Sequence, residues 1–132
     1  MPVLFNKMER GNPANPLDPR LWYPILKSTG LMKEREIAKL LSEETTLNPK
    51  EAEMAIFQLF KVVVRLLLDG HTVQLGPLGS FRLTARAHGV PTEAEVTSSL
   101  IRKLMVRFTE SADMREAIAK ATFLDIAALS NR

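Results

Sequence analysis

Arg82, Arg86 and His88 fall on alternate positions of the run FRLTARAH, and Lys103 and Arg107 punctuate a second run, LIRKLMVRF. In a strand, successive side chains point to opposite faces. Arg82, Arg86 and His88 would then share a side with Thr84, while Phe81 and Leu83 take the other; Lys103 and Arg107 likewise oppose Leu104 and Phe108. If both runs bury their apolar sides, the cations gather on one outer face. Such a face suits phosphate oxygens, because guanidinium forks match them and the release of condensed counterions drives binding. The charge distribution points the same way. Of 18 Lys and Arg and 15 Asp and Glu, residues 70–109 hold Arg82, Arg86, Arg102, Lys103 and Arg107 against Glu93 and Glu95, so the rest carries 13 of each sign and the net +3 lies in this segment. The alternative is a solubilising outer face, since solvated strands commonly carry arginine and lysine. No pattern indicates specific base readout.

Other chemistries find little support. The chain has no cysteine, which removes disulfides, thiolate metal sites and a cysteine nucleophile. Its only two histidines, His71 and His88, fall at a turn and near a hairpin tip, and no glycine-serine nucleophile elbow accompanies them. GPLGSF is neither a phosphate-binding loop of the Walker type nor a dinucleotide fingerprint, because its glycine spacing is wrong and it joins two strands. We expect no enzyme, cofactor, metal or small-molecule substrate. The apolar runs VVV and LLL are too short to span a bilayer and MPVLFNKMER lacks a secretory apolar stretch, so a cytoplasmic protein with no membrane partner is expected.

The elements that must position the cations follow from punctuation and periodicity. Five of the eight prolines, Pro2, Pro13, Pro16, Pro19 and Pro24, lie in the first 24 residues and exclude a regular helix or central strand in RGNPANPLDPRLWYP. Residues 1–30 are therefore expected as an extended appendage lying on the main domain, with VLFNK a short edge strand and Trp22 and Tyr23 as packed anchors. Ile37, Ala38, Leu40 and Leu41 recur at helical spacing over 33–44. Asn48 then caps a second helix with Pro49 at its first position, Glu51 completes a capping box, and Gly70 stops it about 31 Å later. Ala52, Ile56, Leu59, Phe60, Val63 and Leu67, joined by Phe57, Val64 and Leu68, make that helix apolar around most of its circumference. It is either the centre of a compact core or covered by a second subunit. Strands follow around Val73 and Leu75, over Phe81–His88 and over 96–108, with a turn in HGVPTEAE. A last helix starts at Asp113, with Glu116 three residues on and Met114, Ala117, Ile118 and Ala121 as its buried stripe. Residues 125–132 read as a fraying tail.

This order, with DGHTVQLGPLGSFRLTAR just after the second helix, resembles the bacterial histone-like DNA-binding family of HU and integration host factor. The resemblance covers about residues 33–121. It rests on LNPKEAE, on the spaced set Gly70, Val73, Leu75, Gly79, Ser80 and Phe81, and on VRFTESADMREAI. It implies an α+β fold: two N-terminal helices, a three-stranded antiparallel sheet with an extended β-arm, and a C-terminal helix, in an intertwined homodimer whose arms reach around duplex DNA and bend it. The HU-like domain is then 31–124. Gly79 and Ser80 would sit at a backbone-phosphate contact, Arg82, Arg86, Arg102, Lys103 and Arg107 with His88 would line the saddle and arm, and Pro91 is the candidate for the wedge that unstacks a base step. The FNKMERGNP segment is similar to an extension in a divergent, longer branch of that family.

The chain departs from the family at Pro77 and Leu78, where glycine and phenylalanine are usual, at HGVPTEAEV, which lacks the arginine-asparagine-proline arm signature, and at Glu110, Ser111 and Ala112, where proline, glycine and lysine are usual. The carboxylates of Glu93, Glu95 and Glu110 repel phosphate, so the expected affinity is modest and strongly salt-sensitive. The expectation is a cytoplasmic, nucleoid-associated architectural protein that condenses and bends double-stranded DNA with little sequence specificity. Its rival is a dimeric structural or protein-interaction module of the same fold that has lost most DNA binding.

Overall fold

The computed structural model describes residues 2–129, which divide into two compact units. One spans residues 33–117; the other is built from the residues before 33 and after 117. Among the described residues no helix is long and apolar enough to cross a membrane.

The 33–117 unit opens with helices α1, Glu34–Glu44, and α2, Pro49–Leu68. The Asn48 side chain accepts from the Glu51 amide at 2.8 Å, and Pro49 occupies the first turn where its missing N–H costs nothing. The Glu51 carboxylate is bonded by the Asn48 side-chain amide, so the reciprocal half of the capping box runs between side chains and does not reach the Asn48 backbone. At the other end the Gly70 amide donates to Leu67 and the His71 amide to Leu66, each at 3.0 Å, and Gly70 takes φ +88°. That is a Schellman stop, which an L side chain would strain. Ala38 and Ala52 are buried at 1% and 0% exposure, and small residues of this kind let α1 and α2 approach closely.

Strands β3, Val73–Gln74, β4, Gly79–Ala87, and β5, Ile101–Glu110, form an antiparallel sheet in that order. Gly79 is fixed by contact. It holds φ +143°, and a Cβ there would stand 2.3 Å from the Thr109 carbonyl oxygen and 2.8 Å from the Phe108 ring. Only glycine lets β5 pass this close. The Phe81 and Phe108 rings pack at a tilt across the sheet with centroids 5.1 Å apart.

Three expectations are corrected in this unit. The third strand starts at Ile101, not Val96, and runs on to Glu110. Residues 88–100, expected as part of an extended arm, leave the ladder after Ala87, and single 3-10 turns form over Glu93–Glu95 and Ser98–Leu100. Gly89 and Pro91 interrupt the pairing there, and local bonds such as Glu95 amide to Thr92 carbonyl replace it. The helix expected to be the last, α3, spans only Ala112–Ile118, and its cap is Ser111, not Asp113. The Ser111 hydroxyl accepts from the Met114 amide at 3.0 Å and donates to the Pro77 carbonyl, tying the helix start to the β3–β4 turn. Met114 is half-buried, while Ala117, Ile118 and Ala121 are exposed, so the expected buried stripe is not closed by this chain alone.

The other unit is a mixed sheet. Strands β1, Val3–Arg10, and β2, Leu21–Lys27, pair antiparallel, and β6, Phe123–Asp125, runs parallel to β1, so the order is β2-β1-β6. The expected short edge strand is thus the central one, and the proline-rich appendage is a hairpin. Pro24 lies in β2, an edge strand, where a missing donor is tolerated. Asp18 organises the loop between them, accepting from Asn12 at 3.1 Å and Asn15 at 2.9 Å. Trp22 and Tyr23, expected as packed anchors, are 68% and 43% exposed on β2, an edge strand of which only Ile25 is half-buried. Asp125 and the residues after it are not a fraying tail as far as Leu129. Asp125 ends β6 and α4, Ile126–Leu129, follows, whereas residues 130–132 lie outside the described residues. The Ala127 amide and the Lys7 ammonium, 3.0 and 3.1 Å from the Asp125 carboxylate, hold that carboxyl below its ordinary range.

Candidate nucleic-acid interface

Register decides which side chains of β4 and β5 share a face, because residues directly opposite in an antiparallel pair project the same way. Arg82 lies opposite Arg107, Thr84 opposite Met105 and Arg86 opposite Lys103. Phe81, Leu83 and Ala85 lie opposite Phe108, Val106 and Leu104 on the other side. One face of the hairpin therefore carries, in order, Ser80 and Thr109, two arginines, a neutral pair, then an arginine and a lysine, with no acidic residue on it. The two cationic pairs lie four positions apart along the strand, roughly 13 Å.

Like charges placed directly across a sheet repel. Arg82, Arg86, Lys103 and Arg107 are all exposed, and among the described residues none of them meets a carboxylate in an ion pair. Folding gains nothing from this arrangement beyond solubility. A bound polyanion would relieve both repulsions at once.

The remaining expected residues are placed differently. Arg102 is the extra residue of a bulge: Arg86 pairs with Lys103 but Ala87 with Ile101. A bulge bends the strand and leaves its extra residue unpaired. His88 lies one residue past the end of β4, where its amide donates to the Leu100 carbonyl at 3.1 Å, and it is exposed. Pro91 is exposed in the bend before Glu93 and Glu95, also exposed. Gly79 has the opposite parity and is buried, so the structure does not bring it to the cationic face; Ser80 is there, half-buried.

One site residue, Arg115, was not found from sequence, nor was its pairing with Glu110. Arg115, on α3, places its Nε 3.2 Å from a Glu110 carboxylate oxygen, and both border an open groove with Arg82, Arg107, Phe108 and Thr109. The five-residue separation of Glu110 and Arg115 crosses a strand-to-helix junction, where neither strand nor helix periodicity marks a contact.

A helix pair followed by an antiparallel sheet with a projecting cationic hairpin is an HU-type α+β arrangement. A family model described as an HU domain fused to wHTH, Ig, or glycine-rich motif matches residues 1–124, and the chain belongs to this family, HU-HIG. No curated protein matches it. Among solved structures, it is similar to a Bacteroides vulgatus protein provisionally described as a bacterial DNA-binding protein, at 15% identity and a TM-score of 0.63, with 94% of this chain and 48% of that one covered. This chain thus spans about half the length of that relative. It is also similar to Anabaena HU from an HU–DNA cocrystal, at 18% identity and a TM-score of 0.53, covering 67% of this chain and 99% of that one.

Proposed function

We propose that the protein is a histone-like architectural DNA-binding protein: a nucleoid-associated homodimer, without enzymatic activity, that binds and bends duplex DNA through phosphate contacts with little sequence specificity. The observation that carries this reading is the pair of unpaired cross-strand cation couples, Arg82 with Arg107 and Arg86 with Lys103, on a face whose own ladder positions carry no acid. Backbone phosphates are the polyanion that a hairpin of this charge and length fits, and phosphate contacts fix position without reading sequence. Anabaena HU, whose fold the chain shares, is recorded with DNA. Arg102 and Ser80 belong to the same hairpin and are assigned to supporting phosphate contacts, and Gly79, buried off the cationic face, is assigned a backbone contact by resemblance alone. Pro91 and His88 at the tip are assigned to the minor-groove side by resemblance.

The homodimer is inferred from what the chain leaves uncovered. Among the described residues no large side chain is fully buried, and the buried apolar set is Ala38, Ala52, Leu67 and Val73. On α2, Ile56, Val63 and Leu67 turn inward, whereas Phe57, Phe60, Val64 and Leu68 form a second, exposed stripe at helical spacing. Apolar Leu104, Val106 and Phe108 on β5 are exposed as well. A second copy covers such surface in an intertwined pair.

Glu93 and Glu95 at the tip favour one rival, a dimeric protein-interaction module on the same fold. Competition separates the two. Unlabelled duplexes of equal length and unrelated sequence are expected to displace a labelled duplex with the same midpoint within a few-fold. A preference above tenfold for one sequence contradicts the low-specificity reading, and failure of every duplex to compete favours the module.

A further inference from the structure

The geometry points to Glu110 as a built-in competitor for phosphate: its carboxylate engages Arg115 in the groove bounded by Arg82 and Arg107, and a phosphate that displaces it gains a third guanidinium. For its natural ligand this rests on the DNA-binding reading.

The groove holds three arginines and one carboxylate. Arg82 and Arg107 are opposed across the sheet and unpaired, so only Arg115 is locally neutralised. Glu110 takes a single contact, from the Nε of Arg115, which uses one of the five N–H donors a guanidinium offers. The side chains of this pair are 66% and 38% exposed, and ion pairs so open to solvent are weak and screened by salt. Glu110 is tethered to the end of β5 and meets Arg115 alone among the described residues. A phosphate in the groove has oxygens enough for more than one guanidinium, so exchange of the carboxylate for phosphate replaces one weak pair by several charge-assisted bonds. Glu110 thereby sets how readily the base of the hairpin accepts a phosphate, and by neutralising Arg115 beforehand it lessens the dependence of that acceptance on ionic strength.

The test is a double-mutant cycle on the full chain with Glu110→Gln, Arg115→Ala and both, titrated by fluorescence anisotropy against a random-sequence duplex at several salt concentrations. Glu110→Gln keeps an acceptor and removes the charge. It is expected to tighten binding about twofold to fivefold, the range of an exposed charge pair, and to steepen the salt slope by up to about 0.9, one phosphate contact. Arg115→Ala is expected to weaken binding in the wild-type background and by a larger factor in the Glu110→Gln background. If Arg115→Ala has no effect once Glu110 is neutral, Arg115 only masks Glu110 and the inference is overturned. It is overturned also if Glu110→Gln changes neither affinity nor slope.

A second arm uses inorganic phosphate against chloride at matched ionic strength and reads Tm. The upward shift is expected to be larger for Glu110→Gln than for wild type and to vanish with Arg115→Ala. That pattern in a wild-type protein that fails to bind duplex would keep the groove as a phosphate site and sink the DNA reading alone. A protein that binds duplex but is flat in both arms keeps the DNA reading and loses this inference.

Discussion

The double substitution Arg82→Glu with Arg86→Glu is expected to abolish a mobility shift on duplex DNA while leaving the fold and assembly unchanged. Each arginine removed takes with it a charge-assisted contact of about 1.5–3 kcal/mol, so the pair should cost on the order of a hundredfold in affinity or more. The introduced carboxylates then add repulsion of phosphate. The same register that makes this loss large protects the fold. The new carboxylates at positions 82 and 86 would stand opposite Arg107 and Lys103, turning two repulsive cross-strand pairs into attractive ones. The variant should therefore melt at or slightly above the wild-type temperature and elute unchanged on sizing. DNA retained at full affinity by a folded variant would mean that the cationic face of β4 and β5 is not where duplex binds.

The second large effect concerns assembly. Light scattering at micromolar concentration is expected to return twice the 14.8 kDa of one chain, and Phe60→Asp to remove the cooperative thermal transition. Phe60 is 65% exposed within a single chain, so a monomer would accept aspartate there at almost no loss. In a dimer that covers the Phe57, Phe60, Val64 and Leu68 stripe, the substitution deletes a buried aromatic, worth about 3–5 kcal/mol when truncated, and buries a charge besides. It does so in both copies. Obligate dimers of this kind have no stable folded monomer to fall back on. A wild-type mass of one chain, together with a Phe60→Asp variant as stable as wild type, would require the apolar face of α2 to have no partner copy.

The features legible in the sequence are those set by neighbours close along the chain. Asn48, Pro49 and Gly70 delimit α2 because caps act on backbone groups within one turn, and all three do so in the structure. Alternation through Phe81, Arg82, Leu83 and Thr84 separates the cations from the apolar side chains without any knowledge of pairing, and the register puts both strands' cations on one side. What sequence misses is non-local. The parallel pairing of Val3–Phe5 with Phe123–Asp125 joins the two ends of the chain, and no short-range pattern announces it. The bulge at Arg102 shifts β5 by one residue relative to β4 beyond Arg86, so Ala87 pairs with Ile101, and alternation along a single strand does not announce it. Asp113 with Glu116 offers the stronger local capping pattern, yet Ser111 prevails through its bond to the Pro77 carbonyl, which no sequence spacing reveals. Arg115 escapes notice for the same reason: its partner Glu110 belongs to a different element.

Binding through phosphates is tested most directly by the salt dependence of affinity for random-sequence duplex DNA. If the two cation pairs of the hairpin neutralise four phosphates, log K should fall linearly with log salt at a slope of about −3.6. No binding at low salt, or an affinity that does not change with salt, would contradict it.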